Sequence, residues 1–361
     1  MGKQHNGKNK QKMFRENELY DGIIKDINEF ENYISITINV KNIGNAKFKI
    51  TKNEKFLYPK ETVVLFKAEN FGNTTNAKDV TPKQNWYLPK DVLLNMRGYE
   101  FDNDSLVFNK FPLFEAAKNN KKKEIEIKPK LIDNKIIDIQ KLKRKLSNYY
   151  ESIDKYNLSS KAKFKLSNSW RMMVGMGNES VYEVSLTFHH IYGIPYIPGQ
   201  ALKGITRSWF IQKNLPSNFD YDQKHAGEKL DKYFVENFED YREIFGNSKT
   251  DKFGEQSGKV IFFDAFPVED VQIEKDIMTP HYGPYYSDTK NEIPPADYFN
   301  PTPIEFLTVA NTTFKFVIGV KPSVPKDKAD KLLEKAEKLL KDALKEFGVG
   351  AKTAVGYGRF E

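Results

Sequence analysis

The segment Gly348–Phe360, GVGAKTAVGYGRF, sets four glycines around a lysine, a threonine and an arginine, directly after a strongly helical run. No other stretch constrains the fold so tightly. Glycines at this density admit positive φ and let main chains approach one another or a ligand closely. Consecutive N–H groups in such turns also make a concavity suited to phosphate oxygens. Order matters as much as composition. A Walker A loop and a dinucleotide fingerprint both open a helix, whereas this loop follows one. A glycine loop between a last helix and a last strand points to RNA binding rather than to a nucleotide-binding enzyme.

The 361 residues suffice for two or three domains, each with a proper core. Their 57 Lys and Arg against 49 Asp and Glu, a net charge of +8, mildly favour a polyanionic partner. The absence of cysteine excludes disulfides, thiolate nucleophiles and cysteine zinc sites. The five histidines lack metal-ligand spacing, so neither metal nor cofactor is expected. No apolar run reaches a membrane span and no hydrophobic leader opens the chain, which predicts a soluble cytoplasmic protein.

Residues 1–13 are polar and basic and read as a disordered tail. Short strands follow at Tyr20–Ile27, Tyr33–Val40, Ala46–Ile50, Thr62–Glu69 and Ala77–Val80, parted by turn residues. Five such strands predict a small closed barrel over 14–82, similar to OB and cold-shock barrels. Such barrels bind single strands on aromatic faces; Tyr20, Phe30, Tyr33 and Phe66 either serve that purpose or fill the core. Residues 83–160, with Trp86-Tyr87-Leu88-Pro89, a loop at Asn119–Lys123 and a helix over Ile136–Tyr156, read as a connecting segment laid on the next domain. The basic face of that helix (Lys141, Lys143, Arg144, Lys145) reads as solvated.

From 161 to 361 the plan is β-α-β-β-α-β: a strand at Lys163–Val174, a helix at Gly199–Lys213, strands at Lys259–Ala265 and Thr312–Val320, a helix at Lys326–Phe347 and a strand at Ala354–Phe360. A further helix is predicted over Ala226–Phe245. The fold class is therefore α+β, a ferredoxin-like, RRM-like domain with long insertions. The Tyr- and Pro-rich insertion Asp276–Asn300 is longer than a hairpin turn and reads as functional, its His281, Tyr282, Tyr285 and Tyr286 stacking on bases or packing on a neighbouring subunit.

One string is more specific. Gly193-Ile194-Pro195-Tyr196-Ile197-Pro198-Gly199-Gln200-Ala201-Leu202-Lys203-Gly204-Ile205-Thr206-Arg207 resembles the RAMP superfamily of CRISPR proteins, whose first helix is entered through I-P-G-x-x-L-K-G-x-x-R. The terminal glycine loop looks like the same superfamily's. Together with Asp276–Tyr282 (DIMTPHY) and Asn300–Ile304 (NPTPI), the wording is most similar to the sixth RAMP subunits of type III-B (Cmr) effectors, over about residues 84–361. Gln200 stands where a small hydroxyl residue is usual. The resemblance implies a non-catalytic, guide-RNA (crRNA)-binding structural subunit that caps the backbone filament near the guide 3′ end. Its partners would be guide RNA, target RNA and other RAMP subunits.

Physical chemistry agrees with that reading. Pro198-Gly199 turns an extended segment into a helix whose first N–H groups are free for a ligand. Lys203 and Arg207, four apart, share a helix face as a cationic ledge for a phosphate backbone. The RNA-contacting set expected is Gly199, Gln200, Lys203 and Arg207 on the helix, Arg171 before it, and Gly350, Lys352, Thr353, Gly356 and Arg359 in the loop. The rival reading is a metal-independent endoribonuclease processing repeat RNA, with His189, His190 and Tyr192 supplying general acid and base. Asp264 at a strand end either holds Mg²⁺ or fixes the glycine loop by a hydrogen bond.

Overall fold

The computed structural model describes residues 14–15, 18–30, 32–51, 62–71, 74–82, 84–85, 103–110, 112–119, 124–219, 226–250, 252–290 and 292–361. The expected basic tail and Trp86–Pro89 lie outside them. Met1–Tyr99 with Phe111–Lys130 form one compact unit, and Glu100–Lys110 with Leu131–Glu361 a second. The connecting segment is thus shared between the two.

Alternation builds the first unit. In β2 (Tyr33–Val40), Ile34, Ile36, Ile38 and Val40 point inward while their neighbours face out. With β1 (Leu19–Glu29), β3 (Gly44–Thr51), β4 (Val63–Phe71) and β5 (Thr74–Pro82), it closes a barrel in the order β1-β2-β3-β5-β4. A register shift between Ile24 and Asp26 bends β1, so that it pairs β4 at one end and β2 at the other. Phe66 is fully buried, with Tyr20 and Phe14 against it. A separate three-stranded sheet, β6 (Gln84–Asn85), β7 (Phe114–Asn119) and β8 (Glu124–Pro129), completes the unit.

The second unit opens with α1 (Asp104–Asn109), capped by the Asn103 side chain, which accepts from Ser105 N at 3.0 Å. Then come β9 (Lys135–Ile137), α2 (Lys143–Lys155), β10 (Ser160–Ser167), β11 (Arg171–Met172), α3 (Gly199–Asn214), α4 (Ala226–Asn237) and α5 (Glu239–Phe245). A short hairpin of β12 (Gly246–Asn247) and β13 (Gln256–Ser257) leads to β14 (Val260–Phe262), β15 (Phe266–Pro267) and β16 (Val271–Met278). α6 (Gly283–Ser287), β17 (Ile304–Ala310), β18 (Thr313–Val320) and α7 (Lys326–Glu346) follow. One sheet runs β10-β18-β14, with β15 also on β18; another runs β11-β17-β16-β9.

α7 forms because Ala329, Leu332, Leu333, Ala336, Leu339, Leu340, Ala343 and Leu344 recur at helical spacing and are all buried. It stops where Gly348 enters the left-handed region (φ +77°) and donates to the Ala343 carbonyl at 3.0 Å. Phe314 and Phe316 of β18 meet Phe360 edge to face, and this cluster anchors the core beneath α7.

Four elements differ from expectation. The single strand predicted over Lys163–Val174 is two, β10 and β11, which pair in different sheets. The predicted helix over 226–245 breaks at Phe238, whose backbone is extended (φ −125°, ψ 108°) and whose ring stacks on Phe234 at 5.1 Å. Burial of that aromatic outweighs helix continuity. The helix predicted from Ile136 begins at Lys143, because 135–137 pair with β16 instead. The last strand is absent: four glycines at positive φ curl the chain through a 3₁₀ turn at Thr353–Val355, and a single bridge, Phe360 to Asn168, remains.

Replacing Phe316 by alanine should cost about 3–5 kcal/mol. A denaturation midpoint unchanged from the parent would show that this cluster does not anchor the core.

Candidate nucleic-acid interface

The terminal loop is closed onto the chain around β11 by main-chain hydrogen bonds. Ala351 N–H donates to the Met173 carbonyl at 2.8 Å, Gly358 N–H to that of Arg171 at 2.7 Å, and Val349 N–H to that of Gly358 at 2.8 Å. A Cβ on Gly350 (φ +96°) would collide with the Met173 carbonyl, and one on Gly358 (φ +65°) with that of Val349. These glycines therefore serve the approach of protein backbone to protein backbone. Gly356 (φ +99°) is different, since open space surrounds its Cβ position. At the 3₁₀ turn, the N–H groups of Lys352, Thr353 and Ala354 find no protein acceptor among the described residues.

Lys352 is itself left-handed (φ +60°), and its ammonium lies 5.6 Å from the Phe306 ring and 5.8 Å from the Tyr357 ring. Between the loop and α3 lies a cavity of about 410 Å³, lined by Ile205 and Ser208 on one side and by Gly350, Thr353 and Arg359 on the other. Glu346 lines it as well. Helix and loop, distant in sequence, share one hollow.

The N-terminus of α3 is not free. Gly199 N–H donates to Asp264 Oδ1 at 2.7 Å, and a Cβ at Gly199 would strike the Phe262 carbonyl. Asp264 thus fixes a glycine backbone, but that of α3 rather than of the terminal loop. Gln200 is exposed. The expected ledge also divides. Arg207 donates from Nε to the Tyr241 hydroxyl and from Nη2 to Asp231 Oδ1, both at 2.6 Å, and is committed to the α4–α5 corner. Lys203 has no carboxylate partner among the described residues; burial first, then the charges of Lys321 and Arg207, push its pKa below the usual lysine value. Lys321, unnoticed in the sequence, joins it because β18 ends beside α3; its Nζ donates to Ser257 Oγ at 3.0 Å.

Arg171 is likewise committed. Its guanidinium donates to Glu274 Oε2 at 2.8 Å and pairs with Asp276, which also accepts the Tyr357 hydroxyl. The exposed Trp170 packs at a tilt against Tyr357, ring centroids 4.9 Å apart. Burial alone would raise the Asp276 pKa, but hydrogen bonds from Tyr357, the Ile277 N–H and Arg171 outweigh it and hold the carboxyl below its usual range.

The histidine pair assembles as a stack. His189 lies 4.5 Å from the Tyr192 ring and 5.1 Å from His190, and its Nδ1 accepts the Tyr192 N–H at 3.3 Å. Burial, with His190 adding to it, lowers its pKa. In the insertion, Tyr282 donates to Asp297 at 2.9 Å, while Tyr285 and Tyr286 of α6 are exposed. No group of three or more metal-ligating side chains occurs among the described residues, and no helix among them is long and apolar enough to cross a membrane.

A family model described as the RAMP superfamily matches residues 171–361. Over 277 residues, 66% of this chain and 79% of the relative, the sequence is 37% identical to the CRISPR system Cmr subunit Cmr6 of Pyrococcus furiosus. The chain belongs to the Cmr6 family of RAMP proteins. A second Cmr6, from Saccharolobus solfataricus, is 27% identical over 286 residues, 75% of this RAMP protein and 84% of the relative. Among solved structures, a cryo-EM structure of the type III-B Cmr-beta bound to cognate target RNA contains a chain 22% identical to this RAMP protein. It aligns at a TM-score of 0.41 over 62% of this chain and 66% of that one.

Two outcomes are expected. Gly350→Ala should lose about 3 kcal/mol of stability through its positive φ and the carbonyl collision. Gly204→Ala, helical and surrounded by open space, should gain about 0.5–1 kcal/mol; thermal denaturation of both variants reads the contrast. The depressed Asp276 pKa contributes stability present above its unfolded value, about 3.9, and lost as pH falls through the folded value. Asp276→Asn should therefore be less stable at pH 7 and show a shallower loss of stability below pH 4, measured by urea titration across pH.

Proposed function

We propose that this RAMP protein is a guide-RNA-binding structural subunit of a type III-B CRISPR effector, without chemistry of its own. In this reading it caps the backbone filament near the guide 3′ end, contacting guide RNA, target RNA and other RAMP subunits. The cavity between α3 and the terminal loop carries the proposal. Thr353, Ala354 and Arg359 line one hollow, and the N–H groups of the first two have no protein acceptor among the described residues; hydroxyl, N–H and guanidinium are the donor types that a phosphodiester takes. Lys352, next to Thr353 in the loop, and Lys203 on α3 lie outside that lining and would add cations that no carboxylate among the described residues neutralises. Gly199, Arg171 and Arg207 hold the frame around them.

The strand order supports a ferredoxin-like reading of residues 161–361. Phe360 bridges to Asn168 just past β10, β10 pairs β18 and β18 pairs β14, with α3 and α7 packed together against this sheet. The 1-2-3-5-4 closure of the first unit supports an OB-like reading of residues 14–82. The His189 stack weighs against the endoribonuclease, since Nδ1 is occupied and the ring is held between aromatic neighbours.

Effector complexes purified with Lys203→Glu/Lys352→Glu in this subunit should retain markedly less guide RNA than parental complexes. Undiminished guide content would overturn the site. Repeat RNA incubated with the pure chain in EDTA should remain intact; a single discrete cut that disappears in His190→Ala would replace the structural reading with the enzymatic one.

A further inference from the structure

The four aromatics in the first strands divide into two pairs. Tyr20 and Phe66 turn inward with Phe14. Phe30 and Tyr33 turn outward at the β1–β2 hairpin: their rings stack 4.7 Å apart at an interplanar angle of 18°, and Phe30 remains 47% exposed. Lys49 of β3 places its ammonium 4.9 Å from the Tyr33 centroid. A phenylalanine half in water beside a sheet core that could have buried it is a feature folding alone does not require.

Register extends this feature into a strip. On the outer face, Ser35 lies opposite Lys49, Thr37 opposite Lys47 and Asn39 opposite Asn45. Hydroxyls, amides and ammonium groups thus run along β2 and β3 from the aromatic pair, with no aliphatic side chain between them. Asp26, across from Thr37 on β1, marks the acidic edge of the strip.

We infer that this outer β2–β3 face is a second RNA site, which takes a single strand by stacking a base on Phe30 and Tyr33 and seating phosphates on Lys47 and Lys49. The chemistry favours RNA over a protein partner. Protein interfaces centre on buried apolar anchors, whereas a ring platform continuing into lysines and hydroxyls matches an unpaired base followed by its sugar-phosphate backbone. Stacking reads any base, so the site would hold RNA without sequence preference. The inference stands independently of the loop site proposed above.

The test uses the full chain and a fluorescent, unstructured single-stranded RNA lacking any repeat sequence. Phe30→Ala/Tyr33→Ala should weaken binding about 10- to 100-fold, while Tyr33→Phe, which keeps the ring, should bind like the parent. Lys47→Gln/Lys49→Gln should make the slope of log affinity against log salt shallower by about 1.4, two phosphates at about 0.7 each. RNA carrying 5-iodouridine should crosslink to tryptic peptide 26–41. Unchanged affinity in a folded Phe30→Ala/Tyr33→Ala variant, or crosslinks confined to the second unit, overturns the inference. Lys203→Glu/Lys352→Glu serves as the separating arm. Loss of this RNA in that variant alone sinks the barrel site and leaves the loop site standing; loss in the barrel variants alone does the reverse.

Discussion

Main-chain contact between the terminal loop and residues 171–173 organises the second unit. Backbones can approach that closely only where no Cβ intervenes: one on Gly350 would collide with the Met173 carbonyl, and ones on Gly348 and Gly358 with carbonyls of the loop itself. The loop's closure also places Tyr357 against Asp276 and Trp170, links Arg171 to two carboxylates, and brings the 3₁₀ turn opposite α3. The same glycines that hold the fold together shape the hollow read as the RNA site. If the proposed site holds RNA, packing and binding are not alternative explanations for them, because the first creates the geometry of the second.

Neutralisation sorts the cations. Arg171 and Arg207 are the residue type best suited to bidentate pairing, and both spend it on protein acceptors: Glu274 and Asp276 for one, Asp231 and Tyr241 for the other. The lysines Lys203 and Lys352 keep their charge without such a partner among the described residues. Arginine thus braces the frame, and lysine with main-chain N–H groups supplies the contacts proposed for the polyanion.

Much of the architecture was legible in the sequence because it rests on local periodicity. The barrel strands follow from alternation, and α3 and α7 from a signature and a clean apolar stripe. What failed depended on distant partners. Residues 135–137 form a strand because β16 lies beside them, and Phe238 breaks a helix because an aromatic cluster waits for its ring. The expected last strand was lost to four positive-φ glycines, whose conformation is visible only once the opposing carbonyls are in place. At the site, α3 and the glycine loop were each legible as a motif, but that they share one hollow was not. The fate of Arg207, the seat of Asp264 on Gly199, and the presence of Lys321 next to Lys203 were not, since each is fixed by a contact remote in sequence.

The pairing of β10 with β18 also bears on how the chain acquires its shape. The Ser167 and Thr313 hydroxyls meet 2.8 Å apart across 146 residues of sequence, whereas the barrel closes within Leu19–Pro82. Loop-closure entropy must be met before such remote pairing is rewarded. During synthesis the barrel can form while β10 still lacks its neighbour and presents an open edge, with Phe164 not yet stacked on Phe316. Three exposed lysines, Lys161, Lys163 and Lys165, alternate along that edge strand. Their charge discourages wrong strand pairing during the interval, so the sequence of β10 guards the nascent chain as well as completing the finished sheet.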